Sequence, residues 1–267
     1  MRRRLLTLGL LVLVSTCSKT IDAHAAQDLA LHYDVYYLAL PVISVDVASW
    51  VDPTTYRTTV ALLSAGILGL FAHWESHATA SGAIDGAIVR PMVYRAESAY
   101  RDRQQRIDLA YERAGAVRGA VEGVLTDGER EDVPAPLRDD TLDPVSASAA
   151  LAHRLAAIGT CAGTVRVFDG LRRYDLRYED LGMAELAPSR RDPYHGVARH
   201  CRAVVEPIAG FLRTGEHAGE RATELSTWLA PPLEGAEPVA VRTDLEGTHG
   251  TLHAHLARAT PIPIPGP

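Results

Sequence analysis

From Leu29 onward apolar and polar residues of this chain alternate with a period of two, broken at intervals by Gly, Pro and Asp-Gly. Residues recurring at every second position share one face of a strand, so the pattern commits the chain to half-buried antiparallel β structure. Leu29, Leu31, Tyr33, Val35 and Tyr37 fall on one face of the first strand, and Ile43, Val45 and Val47 alternate as cleanly. Pro41 between them marks the expected turn. Segments 54–63 and 74–84 read as a returning pair. Further strands are expected at 92–101, 106–111 and 116–121, the last two joined across Gly115.

One segment departs from this period. Residues 144–158 read as a helix, with Asp143 as N-cap, Pro144 at the first helical position and Gly159 past the end. Ser148, Leu151, Leu155 and Ile158 form the stripe expected to pack. The Pro- and Asp-rich stretch 132–143 before it is expected to be a loop. Strands resume at 164–168 and 171–178 around Asp169-Gly170, a strong hairpin signal. Segments 199–206, 224–229, 239–245 and 251–258 complete the set. The fold class is therefore mainly β (α+β): a curved antiparallel sheet or barrel with one substantial helix packed against it. One domain is expected over 26–260, with the Pro-rich 261–267 as an extended mobile tail outside the sheet.

The N-terminus carries a different signal. Arg2, Arg3 and Arg4 precede the apolar run 5–14, and Ala23-His24-Ala25 supplies a small-x-small end, the pattern of a cleavable secretory signal peptide over 1–25. The run is too short to span a membrane, which takes about 20 residues, and no later stretch is long and apolar enough to be a transmembrane helix. Thr16 is a poor residue before a lipid-modified cysteine, so anchoring through Cys17 is disfavoured against periplasmic export. Cleavage would remove four basic residues and one acid, taking the net charge from −6 to −9. Long-range repulsion then disfavours nucleic acid and anionic lipid as partners.

Cys161 and Cys201 remain after cleavage. In an oxidising compartment the pair reads first as a disulfide closing a loop of about 40 residues, stabilising by ~3–4 kcal/mol; two buried thiols or half a metal site are the alternatives. Lys19, the only lysine, lies in the signal segment, which excludes Schiff-base and phosphate-loop chemistry, and no asparagine occurs to complete a Cys-His-Asn triad. His253 and His255 could both reach one metal from a strand face, but Leu252, Ala254 and Leu256 form the apolar face. The histidines are thus expected to point outward beside Arg242 and Asp244, and no metal or cofactor is expected. Acids abound at 127–132 and 138–140 without the spacing of a calcium loop or a catalytic carboxylate pair.

Two features remain. The apolar stretch 61–71, broken by Gly66 and Gly69, reads as a buried corner or as a flap over a cavity. Arg172 shares a face with Tyr174, Leu176 and Tyr178, and needs an acid, Asp169 or Asp175, or a ligand.

These residues resemble a known family. Tyr33-Asp34-Val35-Tyr36, the small-and-apolar 64–70 segment, Pro91 before a strand, Cys161 leading into Val167-Phe168-Asp169-Gly170-Leu171-Arg172-Arg173-Tyr174, and Cys201-Arg202 leading into Pro207-Ile208-Ala209-Gly210-Phe211 are similar to the bacterial envelope family called domain of unknown function 3108. The resemblance spans roughly 29–256. It implies export, a β-rich fold and pairing of Cys161 with Cys201, and carries no activity.

The reading that results is a non-enzymatic envelope protein binding an apolar or lipid-like ligand inside a curved sheet, lined by Tyr33, Val35, Tyr37, Leu68, Phe71 and Trp74. An envelope scaffold acting through a protein partner, and a hydrolase with an unrecognised Asp/Glu/His site, are the alternatives.

Overall fold

The computed structural model describes residues 27–66, 69, 73–112, 114–188, 193–215 and 222–262. Residues 1–25, expected to be a signal peptide, therefore lie outside the described residues, as do Leu68 and Phe71. Thirteen strands follow one another: β1 (Gln27–Tyr37), β2 (Leu40–Val51), β3 (Thr55–Ser64), β4 (Trp74–Asp85), β5 (Ile88–Tyr100), β6 (Arg103–Tyr111), β7 (Val117–Gly123), β8 (Gly163–Phe168), β9 (Arg173–Leu186), β10 (Gly196–Ala209), β11 (Ala222–Ala230), β12 (Val239–Gly247) and β13 (Gly250–Pro261). Between β7 and β8 come a single turn, α1 (Ala135–Arg138), and the expected helix, α2 (Pro144–Ile158).

All strands belong to one antiparallel sheet in the order β7-β6-β5-β4-β3-β2-β1-β13-β12-β11-β10-β9-β8. Hairpin neighbours pair everywhere except at the centre, where β1 pairs with β13 across the length of the chain. The sheet thus consists of two meanders zipped by its terminal strands, leaving β7 and β8 as edges. Those edges are stitched together by the segment after α1. Asp140 N–H donates to the Gly115 carbonyl beside β7, and Asp139 Oδ1 accepts from Val117 N–H. Leu142 pairs with Val167 on the outer edge of β8. At Gly170, in the β8–β9 turn, a Cβ would stand 2.4 Å from Ile107 of β6, so the two ends of the sheet curl into contact.

Helix α2 fills the space so enclosed. Asp143 caps it, accepting from Ser146 N–H, and Gly159 ends it at φ 75°. The packed stripe is shifted from the expected one: Ser146, Ala147, Leu151 and Leu155 are buried, whereas Ser148 is exposed and Ile158 is 53% exposed. The helix lies between two curved walls instead of on one flat face, so Ser146 and Ala147 of its first turn meet the core as well as Leu151 and Leu155. His153 locks the helix in place, its ring bonding the Gly86 carbonyl in the β4–β5 turn and Glu237 between β11 and β12.

Two turns differ from expectation. The β1–β2 turn is Leu38-Ala39, with Pro41 inside β2 opposite Tyr36. Both turn residues have positive φ, 47° and 69°, as a type I′ hairpin turn requires, although neither is Gly, Asn or Asp. At the other end of the chain Pro261 is not part of a free tail: it closes β13 opposite Leu29, and Ile262 N–H donates to the Asp28 carbonyl. Residues 263–267 lie outside the described residues.

Candidate functional site

Cross-strand register turns the alternation into rows of inward-facing side chains. One row runs Leu29–Ser49–Thr58–Ala80–Tyr94–Leu109, the next Leu31–Val47–Val60–Ala78–Ala96–Ile107. Most of these residues are buried and belong to the hydrophobic core. The following row, Tyr33–Val45–Leu62–Ser76–Ser98–Gln105, is half-buried along its whole length. Beyond it Val35 pairs with Ile43 and Ile43 with Ser64, whose Oγ accepts from Trp74 N–H at 3.0 Å; Trp74 pairs with Tyr100. On the other meander Tyr37–Leu252–Leu245–Leu225 continues the same wall, again half-buried. The interior is therefore packed at the end carrying the β4–β5 turn and solvent-accessible at the end carrying the β1–β2 turn.

Of the expected lining residues, Tyr33, Val35, Tyr37 and Trp74 are brought together here from β1 and β4. Val35 is buried; the other three are half-buried. Burial pushes the Tyr33 phenol well above its ordinary value, so it stays a neutral O–H. The Tyr37 hydroxyl donates to the His249 carbonyl at 2.6 Å, tying β1 to the β12–β13 turn. Leu62, Leu225 and Leu245 were not singled out in the sequence, and Val45 and Leu252 were read only as members of apolar strand faces, not as lining. Alternation marks each as inward-facing, but no local signal pairs β1 with β13, which sets them side by side.

At the sealed end sits a polar constellation the sequence did not announce. Tyr56 Oη lies 2.6 Å from Ser146 Oγ, which donates to Asp143 Oδ2 at 2.5 Å. Asp143 and Ser146 are fully buried, and the Tyr111 hydroxyl is buried beside them. Desolvation outweighs the Ser146 and backbone hydrogen bonds and pushes the Asp143 carboxyl up to about 6. Burial likewise holds Tyr56, Tyr94 and Tyr111 far above their usual range. A serine, an acid and a phenol in hydrogen-bonded sequence have the types of a catalytic relay. Full burial bars substrate from them, and their partners are those of a helix cap fixed to a barrel wall.

The other expected features find structural partners. Cys161 and Cys201 form the disulfide, with Cα atoms 6.2 Å apart, joining the exit of α2 to β10 beneath the packed side of the helix. Arg172 lies in the turn before β9 and pairs with Asp169 at 2.8 Å, which holds its guanidinium above its ordinary value. Asp169 also accepts the Leu171 and Arg172 N–H groups. The buried Arg173 pairs with Asp175 and donates to the Leu137 carbonyl of α1. His253 bonds Asp244 at 2.8 Å. His255, expected on the surface, is buried instead, edge-on to Tyr36 with ring centroids 5.7 Å apart. It sits in a row of large outer-face side chains that shield it: Arg242 beside it lies 4.7 Å from the Trp228 ring, which stacks on His200 at 4.3 Å. Among the described residues no three His, Cys, Asp or Glu side chains gather as a metal site.

Two open grooves mark the surface. One, of about 330 Å³, crosses β13, β1, β2, β3 and β4, where Ala30, Ala48 and Ala61 leave a shallow floor between His32, Asp46, His77 and Arg258. The second, of about 500 Å³, lies over β4–β7 among Glu75, Glu97, Arg106 and Glu122. Ion pairs such as His32–Asp46 and Arg106–Glu97 lie along their rims.

Comparison with known proteins agrees with this geometry. The model of a family described as "Protein of unknown function (DUF3108)" matches residues 32–256. The crystal structure of a beta-barrel-like protein of domain of unknown function DUF1849 from Brucella abortus superposes with a TM-score of 0.51 at 8% identity, covering 89% of this chain and 99% of that one. At that identity the likeness concerns the fold alone. No curated protein matches the chain.

Proposed function

The chain belongs to DUF3108, a family of proteins of unknown function, and on that premise we propose that it is an exported, non-enzymatic carrier of an apolar or lipid-like molecule. The observation that carries this reading is the contrast between the two ends of one inward face. Leu29, Leu31, Ala78, Ala80 and Leu109 are buried, whereas Val45, Leu62, Trp74 and Leu245 are apolar yet partly exposed to solvent. A wall of leucine, valine and aromatic side chains left wet on the concave side of a sheet is the lining expected of a site for an apolar guest. Its polar groups are few: Ser76 and Ser98 satisfy each other at 2.8 Å, and Tyr37 is tied to His249. The titratable groups of the sealed end serve packing in this reading, with no chemistry on a substrate.

The test is native mass spectrometry of protein recovered from the periplasm of its host, coupled to solvent extraction. A discrete bound mass matching an extracted lipid is expected, and Leu62→Gln with Leu245→Gln should empty the protein without unfolding it. Wild-type protein that stays empty, under conditions where a known carrier retains its lipid, would refute the reading.

A further inference from the structure

The β1–β2 turn stands at the open end of the interior, and its composition is opposite to that of an ordinary hairpin tip. Leu38 is 77% exposed and Leu40 53%, with Ala39 and Pro41 exposed between and after them. Leu38 and Ala39 both hold positive φ, a backbone state in which Asn, Asp or Gly is far better tolerated. No ionisable side chain other than the tyrosines occurs between Asp34 and Asp46, so the whole tip is free of charge. The tip is also braced. Tyr37 is bonded to the His249 carbonyl, and Ala65 N–H donates to the Val42 carbonyl at its base. Strained, apolar, uncharged and rigid, it presents leucine to water where folding alone favours the reverse choice on every count.

We propose that this tip inserts into the surface of a lipid bilayer, bringing the open end of the interior against the membrane so that an apolar guest passes without crossing water. The proposal rests on the carrier reading for its purpose, but not for the membrane contact itself. A bilayer is the occupant that the shape and charge select. A standard protein interface buries roughly 800 Å² on each partner, and a convex tip offering two leucines and a proline supplies only a fraction of that. A membrane interface asks only for a few apolar side chains unaccompanied by charge. The net charge, −6 for the whole chain and −9 once the expected signal peptide is removed, disfavours attraction to anionic headgroups. Association should therefore occur with uncharged lipid and be insensitive to salt.

The experiment is flotation of the periplasmic protein with vesicles of phosphatidylcholine and phosphatidylethanolamine. Wild type is expected to float at both low and high salt. Leu38→Asp with Leu40→Asp should weaken partitioning by about 100-fold, at roughly tenfold per leucine. Leu38→Asn with Ala39→Gly suits the turn better, so it should raise the melting temperature and yet weaken partitioning by about tenfold. Leu38→Trp should shift its emission to the blue on vesicle addition and be quenched by brominated lipid. Equal flotation of wild type and both tip variants, or no flotation of wild type, would overturn the proposal, as would a tip that cross-links in cells to a single protein and stays unquenched by brominated lipid. Bound lipid seen by mass spectrometry in a wild type that does not float would remove the membrane contact and leave the carrier reading standing.

Discussion

Replacing Asp143 with Asn tests whether the sealed end of the barrel holds a protonated carboxyl. In the folded chain Asp143 has no exposed surface, and burial pushes its carboxyl up to about 6 from an ordinary value of 3.8. A folded-state value above the unfolded one means that the folded protein binds the proton more tightly. Its contribution to stability is therefore fully present below about pH 4 and is lost as pH rises through 6. The shift corresponds to about 3 kcal/mol in all, of which roughly 2 kcal/mol falls between pH 4.5 and pH 8. Asn keeps an oxygen for the Ser146 N–H, caps a helix as well as Asp does, and does not titrate. Urea unfolding of both proteins at pH 4.5, 6 and 8 supplies the assay. The stability of wild type relative to Asp143→Asn should fall by about 2 kcal/mol across that range, with unchanged m-values. Taking the difference cancels the carboxylates whose pairing acts in the opposite direction, Asp108 and Asp127 among them. A difference that stays constant with pH would refute the reasoning: the helix N-terminus and the Ser146 bonds would then outweigh burial, leaving the carboxylate ionised at every pH tested.

Other consequences follow from the same packing. Cys161→Ala with Cys201→Ala opens a loop spanning 40 positions, which should cost about 4 kcal/mol and lower the melting temperature by roughly 8–16 °C in a calorimeter; reductant acting on wild type should reproduce the shift. Tyr56→Phe removes the hydrogen bond to Ser146 and should cost about 1–2 kcal/mol by urea denaturation. Gly170→Ala places a methyl within 2.4 Å of Ile107 at φ 98°, where the two ends of the sheet meet, and should destabilise by more than about 2 kcal/mol. Near-ultraviolet dichroism should show loosened tyrosine packing in that variant.

Much of this architecture was legible residue by residue. Period-two alternation placed Leu29, Leu31, Tyr33, Val35 and Tyr37 on one face, and cap chemistry bounded α2 at Asp143 and Gly159, because strand faces and helix ends are decided by neighbours a few positions away. The candidate site was legible in part. Tyr33, Val35, Tyr37 and Trp74 were placed on the inner wall, whereas Leu225, Leu245 and Leu252 joined them only through the β1–β13 pairing. That pairing spans most of the chain and leaves no local mark in the sequence. The turn at Leu38-Ala39 carried no turn signal: the register of β1 on β2 sets its length and forces positive φ on residues that disfavour it. His255 looked like a surface residue until Tyr36 and the row from His200 to Arg242 closed around it. Asp143 read as an N-cap and is one, yet the burial that raises its carboxyl exists only once distant strands close around the helix start. Backbone preferences are local, so the sequence by itself determined the elements and their faces. Register, curvature and burial arise from contacts between distant segments, and only the tertiary structure decided which inward face is packed and which is left open.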